Sequence, residues 1–283
     1  MNKIIYTLAA IAAATFSVVC CSQAEETLKV MSYNIRFDSA ADGENIWDNR
    51  KPATIAMLED VRPDVFGVQE ALAHQIEYIA QNAPLYDNVG VGREDGESSG
   101  EHMSIFWNKE TIEMLEWGTY WLSETPEVPS FGWDAACKRT ATWALMKDKR
   151  NGKQFFFVNT HLDHVGVEAR RNGLVLLVER IAAMNPQSYP MVLTGDFNMP
   201  SSHPSLTDLN GMMTSVREVA PKTDYHITYN GWGKIPDGAA DWIIDYIYES
   251  GFTAVNEYRT VTNQYADKPY ISDHYPIVSV LEY

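Results

Sequence analysis

The stretch Met191-Val192-Leu193-Thr194-Gly195-Asp196-Phe197-Asn198 decides how this chain is read. Its apolar start is too short for a helix and, bounded by turn formers, suits a buried strand. Just past the strand come Gly195, a carboxylate and an amide. The same layout recurs along the chain. Asn34 follows the run Met31-Ser32-Tyr33, Glu70 ends Val68-Gln69-Glu70, and His161 lies within Asn159-Thr160-His161-Leu162-Asp163-His164. Asp245 sits in Ile244-Asp245-Tyr246-Ile247, and Asp273 with His274 in Ser272-Asp273-His274-Tyr275-Pro276. Strand after strand would thus bring a carboxylate, amide or imidazole to one rim of a sheet, where open α/β layouts place their sites. Singly, each cluster is explained by a turn or a cap. Their repetition along one chain is not.

Outward from these clusters, 28–35 alternates and reads as a strand, 64–68 is a short apolar run that suits a buried one, and 102–107, 140–146, 154–159, 191–193, 242–248 and 275–281 also read as strands. A helix is expected over 50–61, with Pro52 early and Arg62-Pro63 as its stop. Leu174, Leu177, Val178 and Ile181 lie at i, i+3, i+4 and i+7 and mark a second helix. Asn151-Gly152 marks a hairpin turn within 147–153. Many strands and few helices suggest an α/β (α+β) chain of two packed mixed sheets with helices outside, although spacing alone does not choose this over other α/β layouts. No repeat or Pro-rich linker divides residues 25–283, which read as one domain.

The 283 residues carry 38 Asp+Glu against 22 Lys+Arg, a formal charge of −16. With 45% hydrophobic residues the chain can bury a large core, so disorder is excluded. The acidity gives no general pull toward phosphate backbones or anionic membranes, which excludes a polybasic nucleic-acid binder. A phosphate-bearing substrate would have to be met by local cations or a bound metal. Residues 1–24 read as a signal peptide: Lys3 opens them, an uncharged apolar stretch follows, and Ser22 and Ala24 give a small-x-small cleavage site. The protein is therefore expected to be exported, periplasmic or secreted, with a lipid anchor at Cys20 or Cys21 as the alternative. Cleavage leaves one cysteine, Cys137, and hence no internal disulfide. A monomer without a membrane span is expected.

The ordered clusters from Ser32 to Pro276 resemble the endonuclease/exonuclease/phosphatase family of DNase I-like phosphoesterases. Thr194-Gly195-Asp196-Phe197-Asn198 and Ser272-Asp273-His274-Tyr275-Pro276 are the most specific pieces. The longer phrases, including Gly90-Val91-Gly92-Arg93, look closer to secreted bacterial members and the deadenylase-like branch than to DNA-repair nucleases. The resemblance implies a four-layer sandwich, two mixed β-sheets flanked by helices, with the site at the top of the sheets. It also implies a Mg²⁺- or Mn²⁺-dependent phosphoesterase in which Glu70, with Asn34 and Asp273, holds the cation. Oxygen ligands suit such hard ions. Asp196 would orient or deprotonate the attacking water and Asn198 would fix that water or a phosphate oxygen. His161 and His274 would donate to phosphoryl oxygens, with Asp245 setting the tautomer and charge of His274. The substrate could be a nucleic acid, a lipid headgroup or a small metabolite.

Around this set, Arg139 is a candidate for clamping phosphate bidentately, its alternative being a surface salt bridge. Arg93 and Glu101 flank 96–100, expected to be a mobile loop beside the site. Trp47, Trp133 and Trp232 are candidates for stacking, against the commoner use of tryptophan in packing. Asn159-x-His161-x-Asp163-His164 is one residue short of the signature of metallo-β-lactamase-like zinc hydrolases. With Asn in the first position and only His203, His226 and His274 beyond, the ligand set is incomplete. Asp163 and His164 are then candidates to tune the site from behind. A non-catalytic surface binding protein on the same fold is the alternative of a different class. The filled set of polar positions argues against it.

Overall fold

The computed structural model describes residues 27–283, so the expected signal peptide and its cysteines lie outside the described residues. The elements follow one another as β1 (Thr27–Asn34), α1 (Trp47–Val61), β2 (Val65–Gln69), α2 (Ala73–Asn82), β3 (Tyr86–Val89), β4 (Ile105–Asn108) and β5 (Ile112–Trp121). Next come β6 (Thr140–Asp148), β7 (Gln154–His161), α3 (Val167–Met184), β8 (Met191–Asp196), α4 (Thr207–Met212), β9 (Thr214–Ser215) and α5 (Val216–Val219). The chain ends with β10 (Asp245–Ser250), β11 (Ala254–Thr260) and β12 (Ile277–Glu282).

These strands form two six-stranded mixed sheets, ordered β11-β12-β1-β2-β4-β3 and β5-β6-β7-β8-β10-β9. Each has one parallel pair at its centre, β1 with β2 and β7 with β8, and the remaining pairs are antiparallel. A parallel pair needs a crossover, and α1 and α3 provide the two. The four central strands are buried almost end to end, as strands covered on both faces must be.

Three apolar layers hold the sandwich together. Leu28, Val30, Val65, Phe155, Phe157, Val192, Ile247 and Leu281 fill the space between the sheets. Met31, Phe66 and Val68 turn the other way onto Met57, Leu58 and Ile79 of the first two helices. Phe156, Val158 and Leu193 meet Leu174, Leu177 and Ile181 of α3 on the opposite side. Helix, sheet, sheet and helix are thus the four layers anticipated.

Near the site the inter-sheet space turns polar. Asn159 on β7 is fully buried and accepts from Gln69 Nε2 (2.6 Å) and Thr194 Oγ1 (3.1 Å). Its amide nitrogen donates to the carbonyls of Val68 (2.8 Å) and Ser104 (3.1 Å). The approach requires Gly67, because a Cβ there would lie 2.4 Å from the Asn159 side chain. Asn159 is thus a clasp between the sheets, and its side chain is fully engaged there rather than turned toward His161 and Asp163 as a ligand.

Several expected boundaries move. Helix α1 begins before Arg50 and accommodates Pro52 in its second turn. Strand β8 continues to Asp196 and β7 to His161, so those side chains are strand ends, not loop residues. The strand expected over 242–248 begins only at Asp245, because Ala240–Trp242 form a 3-10 turn. Trp47 is core, 2% exposed and edge-on to Tyr78, so its candidacy for stacking falls.

Candidate active site

The carboxyl ends of the two parallel pairs point to the same end of the sandwich. Asn34 ends β1, Glu70 follows β2, His161 ends β7 and Asp196 ends β8. Two antiparallel partners arrive from the other direction: Asp245 opens β10 opposite Asp196, and Asp273 and His274 precede β12. Clusters far apart in the chain therefore meet because of sheet order. They surround a cavity of about 550 Å³ whose lining includes Glu70, Arg93, Glu101, Arg139, His161, His164, Asp196, Asn198, Asp273 and His274. Asn34 and Asp245 stand behind the lining as supports.

At its floor, Asn34 Nδ2 donates to Glu70 Oε1 (3.0 Å) and Asp196 Oδ2 (2.9 Å), holding two carboxylates near each other. The amide is fixed this way because its oxygen accepts from the Arg36 backbone N–H (3.0 Å). Glu70, Asp196 and His274 each offer a ligand atom within 4.8 Å of the others. Asp273 stands apart from that trio, and the Arg36 guanidinium lies 3.8 Å from both Asp273 and Glu70. The oxygen-rich donors fit a hard divalent cation. Burial raises the Asp273 carboxyl, and the Glu70 charge adds to the rise against the pull of His274, Arg36 and Arg50.

His274 Nδ1 is 2.8 Å from Asp245 Oδ2, and its Nε2 is 3.7 Å from Asp196 Oδ2. Burial alone would push the imidazolium down, but Asp245 and Asp196 outweigh it and raise it to about 10. Asp196 is pushed the other way from an ordinary carboxylate. Burial and the nearby Asp245 raise it to about 7 despite the pull of His274. The site therefore pairs a charged imidazole with a carboxylate able to take a proton near neutrality.

Asn198 donates its backbone N–H to Asp196 Oδ1 (2.9 Å). Its Nδ2 donates to Leu162 O (3.0 Å) and to His161 Nε2 (2.9 Å). His161 is driven well below its ordinary value by burial, with Arg139 and Arg93 adding to the effect, so the ring is neutral. Since Nε2 accepts from Asn198, the single ring proton sits on Nδ1. Arg36, Glu70 and Asn198 all have left-handed backbone, with φ of 60°, 63° and 51°. Three such side-chain-bearing residues on one cavity mark a place where strain is tolerated to aim groups.

The outer wall departs from expectation in detail. Arg139 is buried, not superficial: Nε reaches Asp163 Oδ2 (3.3 Å) and Nη2 reaches His164 Nδ1 (3.0 Å). Only one nitrogen stays unengaged, so the bidentate clamp expected of it is not available without rearrangement. Asp163 does not line the cavity. It accepts from Val165 N, Gly166 N and Cys137 N as well as Arg139, and so ties two wall segments together. Arg93 and Glu101 both line the cavity and pair with each other at 2.6 Å. The loop expected to be mobile is braced by Gly92 N to Glu97 O (2.9 Å), Arg93 N to Glu101 O (3.0 Å) and Glu94 N to Ser99 O (3.0 Å). Trp133 and Trp232 are absent from the lining, whereas Arg36, Phe37, Tyr229, Trp242 and Ile244 belong to it. Tyr229 lies edge-on to His274 with ring centroids 5.0 Å apart, and Trp242 packs beside Tyr229 at 5.1 Å. Arg36 was within reach of the sequence, two residues after Asn34. The aromatic wall depends on the bridge between Tyr229 and His274, which no local pattern announces.

A sequence profile of the Endonuclease/Exonuclease/phosphatase family matches residues 31–274, which takes in every element that builds this cavity. The chain belongs to that family. Among solved members, the endonuclease/exonuclease/phosphatase from Bacteroides vulgatus is 35% identical, with a TM-score of 0.85 over 91% of this chain and 99% of its own. A mannosyl-6-phosphatase from Bacteroides thetaiotaomicron is 33% identical, with a TM-score of 0.86 over 90% of this chain and all of its own. An uncharacterized protein of Acanthamoeba polyphaga mimivirus is 26% identical over 90% of this chain and its own full length. As a family member, the protein has a phosphoester-hydrolase fold. No helix among the described residues is long and apolar enough to cross a membrane.

Proposed function

We propose that this protein is an exported, divalent-metal-dependent phosphoesterase acting on small phosphorylated compounds. The observation that carries the reading is the convergence of Glu70, Asp196 and His274 from two sheets on one cavity, with Asp245 behind His274. The activity of the Bacteroides thetaiotaomicron neighbour on a sugar phosphate favours a small substrate over duplex DNA. The −16 formal charge points the same way, since few phosphates of a polymer could be neutralised.

Glu70, with Asn34 and Asp273, would hold Mg²⁺ or Mn²⁺. When bound, the ion would supply positive charge against the phosphoryl oxygens. Asn34 needs an amide rotation to offer its oxygen, because its nitrogen faces Glu70 here. Asp196 holds the Asn198 N–H on Oδ1 and the Asn34 amide on Oδ2, and takes the proton of the attacking water on the remaining lone pair of Oδ2. His274, held as imidazolium by Asp245, donates from Nε2 to the charge growing on the phosphoryl group. His161 contributes a second donor.

The test is hydrolysis of a generic monoester, a generic diester, sphingomyelin, single-stranded RNA and plasmid DNA with Mg²⁺, Mn²⁺ or EDTA. Metal-dependent turnover of a small ester, lost in Asp196→Ala and Glu70→Ala proteins that still fold, is expected. Turnover of none of them with any metal would leave the binding-protein alternative.

A further inference from the structure

Arg36 brings a permanent positive charge into the lining of a cavity whose floor is acidic. Its backbone, left-handed with φ of 60°, is clamped on both sides. The N–H donates to Asn34 Oδ1 (3.0 Å), and the carbonyl accepts from Gln75 Nε2 (3.0 Å) and Arg50 Nη2 (3.1 Å). The guanidinium is clamped as well. It donates to Asp42 from Nε (3.0 Å) and Nη2 (2.9 Å) as a bidentate pair, and its central carbon stands 4.3 Å over the Phe37 ring. Asp42 comes from the 3-10 turn Ala40–Asn45, and its side chain is only 7% exposed, so the pair is not a loose surface bridge. Held in this way, the guanidinium faces two carboxylates at once. Nη1 is 3.8 Å from Glu70 Oε2, and Nε is 3.8 Å from Asp273 Oδ2.

Four carboxylates line the cavity. Glu101 is taken by Arg93 at 2.6 Å, which leaves Glu70, Asp196 and Asp273 for a metal. Mg²⁺ is usually bound through one or two carboxylates, so these three could serve two ions only if both sides of the set were open to a cation. One side is not. The other oxygens of the two carboxylates beside Arg36 turn elsewhere, Glu70 Oε1 to Asn34 Nδ2 (3.0 Å) and Asp273 Oδ1 to Ser272 Oγ (3.3 Å). An ion on Glu70 Oε2 and Asp273 Oδ2 would take the place that the guanidinium now holds, and the two positive charges would repel each other strongly at such range. We propose that the cavity holds a single divalent cation, and that Arg36 is the fixed positive charge standing where a second ion would bind. The proposal rests on the metal-dependent reading above and deepens it.

The test counts Mn²⁺ bound to the purified protein by electron paramagnetic resonance, in which bound ions leave the signal of free aqueous Mn²⁺. Ions that still bind Glu70→Gln belong to the acidic surface and are subtracted. Wild type should hold one ion at the site. Arg36→Gln should hold two, about a twofold rise, with the coupled spectrum of ions about 3.5–4 Å apart. Arg36→Lys keeps the charge and should stay at one. Two ions in wild type or in Arg36→Lys, or a single ion in Arg36→Gln, would overturn the proposal and leave the metal-dependent phosphoesterase reading standing. No site ion in wild type removes both. If Arg36→Gln fails to fold because Asp42 is left buried without its partner, the double variant Arg36→Gln/Asp42→Asn carries the comparison with the same expected count.

Discussion

Replacing Asp163 by asparagine should loosen the wall that carries Arg139. The native carboxylate accepts from Val165 N (2.9 Å), Gly166 N (2.7 Å), Cys137 N (3.2 Å) and Arg139 Nε (3.3 Å). Asparagine keeps one oxygen and turns N–H groups toward two of those donors. Burial by itself would raise the Asp163 carboxyl, but the Gly166 and Val165 N–H groups and Arg139 outweigh it and hold it at about 2. Against an ordinary 3.8, the depression is worth about 2 kcal/mol at 1.36 kcal/mol per unit. The sign follows from the direction. A depressed carboxyl stabilises fully above its unfolded value and loses that contribution as pH falls toward the folded one, with about half left at pH 3. In a domain of this size, about 2 kcal/mol corresponds to a fall in Tm of roughly 4–8 °C. Thermal and urea unfolding of wild type and Asp163→Asn from pH 7 to pH 3 would measure it. The gap should stay near 2 kcal/mol above about pH 5 and narrow to about 1 kcal/mol at pH 3. A gap below about 0.5 kcal/mol at neutral pH, or one unchanged down to pH 3, would refute the reasoning.

Other consequences are as direct. Chelation with EDTA should abolish hydrolysis, and saturating Mn²⁺ should raise Tm in wild type but not in Glu70→Gln, read by differential scanning fluorimetry. Asp245→Asn should lower kcat by about 100-fold or more with a much smaller change in KM, because His274 loses the group that orients it and holds its charge. Asn159→Leu should cost about 3 kcal/mol or more in urea unfolding, since it removes four buried hydrogen bonds and leaves Gln69, Thr194 and the Val68 and Ser104 carbonyls each one partner short. Gly195→Ala should destabilise by roughly 1–3 kcal/mol or more, because its Cβ would meet the Thr160 carbonyl oxygen at 2.4 Å.

The buried central strands could be read from sequence because their apolar runs are continuous and end in polar residues. Strand β5 could not, since it lies at a sheet edge with Leu115 and Trp117 exposed and Glu116 between them. The polar ends of β1, β2, β7 and β8 were legible one by one, and the family resemblance supplied their association. Their distances were not, because each depends on which strands become neighbours. Arg139 shows the boundary well. Its candidacy came from a basic residue before a strand, whereas its burial and its two occupied nitrogens come from the turn at 163–166 folding back on it. Trp242 was hidden inside an expected strand because an apolar run looks the same whether it pairs or turns away.

Neither sheet carries the whole of the proposed site. Asn34, Glu70, Asp273 and His274 belong to the sheet built on β1 and β2, while His161, Asp196, Asn198 and Asp245 belong to the one built on β7 and β8. A refolding chain that has made one sheet owns half a site and can hydrolyse nothing. Recovery of turnover after dilution from denaturant therefore times the docking of the two halves, and it should lag the return of strand signal in far-ultraviolet circular dichroism.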